Sequence, residues 1–129
     1  MRELKIDKDC FVDKDWILDY LDVITITCAL FGVTVEYVGM CRSKSKGLHF
    51  YITINPDIDA KLANRLQFLL GDDARRVDFN RARIGSRLQE WNKLFEVEGR
   101  RLRTIYRNSE PHPGKVESVH NSGEVVTWM

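Results

Sequence analysis

The sequence predicts an α+β domain: a four-stranded antiparallel sheet with helices on one face, in βαββαβ order, extended by an added C-terminal helix and a polar tail. Three observations carry this reading. Short stretches that alternate apolar and polar residues are interleaved with longer stretches of helical period. Asp residues precede the first two helical stretches and Gly residues end them. Each alternating stretch also places its aliphatic side chains on one face only, as a sheet covered by helices on one side requires.

Arg2 to Asp9 reads as the first strand, with Leu4 and Ile6 on one face and Glu3, Lys5, Asp7 and Asp9 on the other. A helix follows from Asp13 or Asp15, either of which suits an N-cap, through Trp16, Ile17, Tyr20, Leu21, Ile24, Cys28 and Phe31 to a stop at Gly32. Val33 to Cys41, rich in Val, Thr and Tyr, reads as the second strand. The basic turn Arg42-Ser43-Lys44-Ser45-Lys46-Gly47 joins it, as a hairpin, to a third strand over Leu48 to Ile54. In that strand Leu48, Phe50, Ile52 and Ile54 point one way, and His49, Tyr51 and Thr53 the other.

Asn55-Pro56-Asp57 breaks the strand and leads into a helix over about Ile58 to Leu70, with apolar positions Ile58, Leu62, Leu66, Leu69 and Leu70 and a stop at Gly71. Asp72 and Asp73 fall in a loop. Arg75 to Asn80 alternates again, Val77 and Phe79 inward and Arg76 and Asp78 outward, and reads as the fourth strand. A third helical stretch, about Arg81 to Phe95, carries the apolar stripe Ile84, Leu88, Trp91, Leu94 and Phe95, decorated by Arg81, Arg83, Arg87 and Lys93. The basic run Arg100, Arg101 and Arg103 leads to the tail, so residues 1–104 are expected to form one domain and residues 105–129 a polar extension. Within that extension Val125-Val126-Thr127-Trp128 is expected to pair at a sheet edge or with a neighbouring copy, a route to a homo-oligomer.

The 129 residues suffice for one domain with its own core, and a hydrophobic share of 43% with a net charge of +1 is ordinary for a globular protein. Only local charge patterning can therefore speak to partners. Cys10, Cys28 and Cys41 are odd in number and form no Cys-x-x-Cys pair, which argues against a disulfide framework or a cysteine-rich zinc module and for a reducing, cytoplasmic setting. No apolar run approaches the length of a signal peptide or a membrane span, so no membrane association is expected.

A βαββαβ order is the split-βαβ, ferredoxin-like arrangement, whose usual strand order is 4-1-3-2. In that order the end of the first strand lies beside the beginnings of the third and fourth, which would gather Asp7, Asp9, His49 and Asp78 at one end of the sheet. Strand parity independently puts all four on the face away from the helices. Carboxylates so placed suit Mg²⁺ or Mn²⁺, which bridge to substrate phosphates. Arg42, Ser43, Lys44, Ser45, Lys46 and the turn's backbone N–H groups, with His49, could hold a nucleotide's phosphates. The same acidic residues alternate with Lys5 and Lys8, which is also how a solvated strand looks.

Three short motifs in this order, Leu4-Lys5-Ile6-Asp7-Lys8-Asp9, Ser45-Lys46-Gly47-Leu48-His49 and Arg76-Val77-Asp78, resemble those of the archaeo-eukaryotic primases and primase-polymerases, which are built on an RRM-like core. The resemblance implies metal binding by Asp7, Asp9 and Asp78, nucleotide contact by His49, and a role as a minimal primase-like nucleotidyltransferase in DNA replication. It covers roughly the first eighty residues, and the chain departs from the family in its small size, its lysine within the Asp-x-Asp pair and its lack of an evident zinc module. The Leu69-Leu70-Gly71-Asp72-Asp73-Ala74-Arg75-Arg76 stretch also resembles segments of uncharacterised archaeal and viral proteins. A second expectation is a non-catalytic RRM-like binder of single-stranded nucleic acid, with Tyr51 stacking a base and Arg76, Arg81, Arg83, Arg87, Arg100, Arg101 and Arg103 contacting phosphates. A third is a small interaction or assembly protein, and a metal-dependent nuclease is a fourth.

Overall fold

The computed structural model describes residues 1–9, 13–43, 47–94, 102–108 and 123–125. Among these residues five strands and three helices follow in the order β1 (Arg2–Lys8), α1 (Lys14–Leu30), β2 (Thr34–Arg42), β3 (Leu48–Asn55), α2 (Ala60–Leu69), α3 (Ala74–Gly85), β4 (Arg103–Asn108) and β5 (Gly123–Val125). The strands form one antiparallel sheet in the order β1-β3-β2-β4-β5. This is the α+β architecture expected, an antiparallel sheet with three helices, compatible with a ferredoxin-like arrangement.

The first five elements form where local pattern places them. Asp13 caps α1 by accepting from the Trp16 amide at 2.8 Å, and Asp59 caps α2 through the Leu62 amide at 2.8 Å. Gly32 and Gly71, at φ 77° and 88°, end these helices in the left-handed region that a residue with a Cβ avoids. The pairings Leu4 with Ile52, Ile6 with Phe50, Val38 with Ile52 and Met40 with Phe50 line up the apolar face of three strands. Onto it α1 lays Ile17, Tyr20, Leu21, Ile24 and Cys28, and α2 lays Ala63 and Leu66, with Leu70 from its C-cap. An aromatic joint fixes α1 on the sheet: Trp16 and Tyr20 stack at 4.7 Å, and Tyr20 meets Phe50 edge-on at 5.0 Å. The Tyr20 hydroxyl donates to the Leu70 carbonyl at 2.6 Å, tying α1 to the end of α2.

The chain departs from expectation after Gly71. Residues 75–80, expected as the fourth strand, are the first half of α3. Asp73, assigned to a loop, is its N-cap, accepting from the Arg75 and Arg76 amides at 2.8 and 3.4 Å. Six alternating residues are too few to distinguish period 2 from period 3.6, and the cap decides it. On the helix Val77 and Asn80 are buried and Phe79 is 62% exposed, which reverses the expected sharing of one face by Val77 and Phe79. The helix expected over 81–95 ends at Gly85. Trp91 enters the core from an irregular segment, Leu88 is exposed, and Phe95 lies outside the described residues.

The fourth strand comes instead from Arg103–Asn108, where Ile105 and Tyr106 are buried, and it pairs with β2 rather than β1. The expected order 4-1-3-2 is thereby corrected at its first position. β5 then pairs with β4, Val125 opposite Tyr106, so the expected edge pairing of the tail is found at Val125, while 126–129 lie outside the described residues.

Candidate nucleic-acid interface

The end of the sheet that brings β1 beside β3 holds two of the expected site residues face to face. Asp7 is the register partner of His49, and the His49 Nε2 lies 3.5 Å from an Asp7 carboxylate oxygen. Burial pushes the Asp7 carboxyl above the ordinary carboxylate range; His49 opposes this, and Asp73 and Asp9 add to it. The face is not open as parity suggested. His49 is 4% and Tyr51 6% exposed, and Leu102 covers Gly39, the register partner of Tyr51 on β2. Tyr51 therefore presents no ring for a base to stack on.

The basic turn is also partly committed to its own structure. The Ser43 hydroxyl accepts from the Gly47 amide at 3.0 Å, and the Ser43 amide donates to the Gly47 carbonyl at 3.0 Å. Ser43 is buried, whereas Arg42 is exposed; Lys44, Ser45 and Lys46 lie outside the described residues.

Asp78 does not join Asp7 and Asp9. It sits on the outer face of α3 with its side chain 77% exposed, 3.5 Å from Arg81. Among the described residues no group of three or more His, Cys, Asp or Glu side chains is arranged to hold a metal ion. The expected three-carboxylate site for Mg²⁺ or Mn²⁺ is thus not assembled by these residues.

What lies beside β1, where a ferredoxin-like fourth strand would be, is a set of side chains. The Lys5 amide donates to Gln67 at 2.9 Å and the Asp7 amide to Asp72 at 2.8 Å. Arg76 donates to the Lys5 carbonyl, to Asn92 at 2.9 Å and to the Asp72 carboxylate at 3.0 and 3.2 Å. An edge strand's backbone groups need partners, and here side chains of α2, α3 and the segment after them supply them. Arg76, expected to contact nucleic acid, is consumed by this structural role. Arg83 donates to Asn80 at 3.2 Å, and Arg87, at φ 61°, and Arg103 are exposed; Arg100 and Arg101 lie outside the described residues.

The outer faces of α2 and α3 form the walls of a groove of about 910 Å³. Lys61, Arg65 and Phe68 line it from α2 at a spacing of four and three residues, which puts them in one row; Arg75, Asp78 and Arg81 line it from α3. Phe68, Val77 and Ile84 contribute apolar surface, with Phe68 54% exposed. Four cations thus face one carboxylate within the groove. Arg81 pairs loosely with Asp78 and Arg75 with Asp73 at 3.7 Å, while Lys61 and Arg65 form no ion pair among the described residues. Of these residues sequence reasoning singled out only Asp78 and Arg81 for function. The row Lys61, Arg65, Phe68 was legible as the polar side of a helix read only for its apolar side.

The chain is 34% identical over 89 residues to an uncharacterized protein, ORF144, of Acidianus filamentous virus 1, covering 57% of this chain and 62% of that one. The chain thus spans about three-fifths of the length of the relative it matches, a viral protein of the kind its central stretch was expected to resemble. No protein-family model matches, so no primase family model supports the motif resemblance, and no solved structure matches. Among the described residues no helix is long and apolar enough to cross a membrane.

Proposed function

We propose that this protein binds nucleic acid without catalysing its synthesis, holding phosphates on the cationic α2–α3 face. The observation that carries this reading is the pairing of Lys61 and Arg65 on one wall with Arg75 and Arg81 on the other, around a groove holding a single carboxylate, Asp78. Exposed Lys and Arg side chains on one face are the electrostatic footprint of phosphate-backbone binding. The metal-dependent nucleotidyltransferase reading asks for Asp78 beside Asp7 and Asp9, and Asp78 instead lines this groove.

Binding measured by fluorescence anisotropy across a salt series tests the proposal. Affinity is expected to fall steeply with salt, because neutralised phosphates release counterions. Replacing both Lys61 and Arg65 by Glu weakens binding and flattens the logarithmic salt dependence by roughly 0.7 to 0.9 for each phosphate no longer neutralised. Binding unaffected by the two substitutions, or no binding at low salt, overturns the proposal; nucleotide incorporation by the wild type with Mg²⁺ or Mn²⁺ restores the catalytic reading.

A further inference from the structure

We infer that the α2–α3 groove takes a single strand of nucleic acid, one base lying on the Phe68 ring between phosphates held by the two cationic walls. This inference rests on the nucleic-acid reading above and specifies its substrate class. Three features of the groove favour it. The first is an aromatic ring in solvent: Phe68 is 54% exposed, and an exposed large aromatic inside a lined groove is the element on which an unpaired base stacks. The second is the position of charge around that ring. Arg65 and Lys61 precede Phe68 by three and seven residues on the same helix face, while Arg75 and Arg81 stand on the opposite wall. A ring with cations on both sides matches a chain that carries a flat base between flanking phosphates.

The third is shape. The furrow between α2 and α3 holds about 910 Å³, room for an unpaired base and its sugar. A duplex keeps its bases stacked and paired at its centre and offers a furrow of this kind only its phosphates, leaving the apolar surface of Phe68 and Ile84 unfilled. A single strand can turn a base into the furrow and cover that surface. The cationic walls likewise disfavour an uncharged peptide, and an acidic peptide would satisfy the charge without using the ring.

The experiment compares the full chain, labelled oligonucleotides and three proteins. A 20-nucleotide dT strand and a duplex of the same length are titrated in low salt into wild type, Phe68→Ala and Phe68→Trp, with thermal melts confirming that each variant is folded. Phe68 is half in solvent, so neither change should cost much stability. The wild type is expected to bind the single strand about tenfold more tightly than the duplex, Phe68→Ala to lose about tenfold on the single strand and little on the duplex, and Phe68→Trp to recover the loss. Equal affinity for both forms, with Phe68→Ala unchanged, overturns the single-strand inference while leaving phosphate binding intact. Absence of binding to either form overturns both readings, and tight binding of poly-glutamate in their place assigns the groove to an acidic protein partner. If Phe68→Ala weakens both forms equally, the ring acts on groove shape rather than on a base, and the inference fails.

Discussion

The Arg76 guanidinium lies 3.0 Å from one oxygen and 3.2 Å from the other oxygen of the Asp72 carboxylate, one helical turn earlier, and the pair is almost wholly enclosed: their side chains are 10% and 0% exposed. Both reach the same edge strand. Asp72 accepts from the Asp7 amide, while Arg76 donates to the Lys5 carbonyl, so an ion pair on α3 and the turn before it completes the hydrogen bonding of β1. Asn92 and Gln67 extend it, joined at 2.7 Å between the Asn92 amide nitrogen and the Gln67 oxygen.

Removing Arg76 should therefore cost far more than removing an exposed arginine. Arg76→Ala leaves the Asp72 carboxylate buried without its counter-charge and is expected to lower unfolding free energy by about 3–5 kcal/mol, read from urea denaturation. Arg76→Lys is not expected to rescue it, since one ammonium cannot span the positions the planar fork reaches. A loss below about 1 kcal/mol for Arg76→Ala would mean that water replaces the guanidinium at β1.

The Asp7 carboxyl supplies a pH test. Burial raises its folded pKa above the ordinary 3.8, so the folded state holds that proton more tightly than the unfolded chain does. Its contribution is then most favourable below pH 3.8 and is lost as pH rises through the raised folded value. Asp7→Asn cannot ionise, so its stability relative to wild type should climb across that window and stay level above it. Asp72 is raised by burial in the same direction, and reading the difference between the two proteins cancels its share. A difference moving the other way would show that the contact with His49 outweighs burial.

Gly47 packs so close to the end of β1 that an added Cβ would collide with the Lys8 carbonyl oxygen. Gly47→Ala should force the turn away from the end of β1, costing about 1–3 kcal/mol as overpacking does, and loosen the Asp7–His49 contact. Thermal melting gives the cost. Amide exchange at β1 and the start of β3 checks its location, and a uniform loss across the sheet would place the strain elsewhere.

Residues 1–71 show how far local chemistry reaches. The alternation of Leu4 and Ile6 and of Phe50, Ile52 and Ile54, the cap at Asp13 and the stops at Gly32 and Gly71 determine β1, α1, β2, β3 and α2, because each is set by neighbours a few residues away. Parity and strand order together brought Asp7 and His49 to one face at one end of the sheet, and the structure's register makes them direct partners. What local pattern could not decide was which edge of the sheet the fourth strand takes, and the separation of Asp78 from Asp7 descends from that. With β4 on β2, the β1 edge is left to side chains, Arg75–Asn80 is free to be helix, and Asp78 faces a groove instead of Asp7. Arg75 and Arg76 are identical neighbours in sequence, yet one lies in solvent and the other is enclosed. Only the rotation of α3 against an edge strand whose outer backbone groups no strand pairs separates them, and that contact spans 71 residues of chain between Arg76 and Lys5.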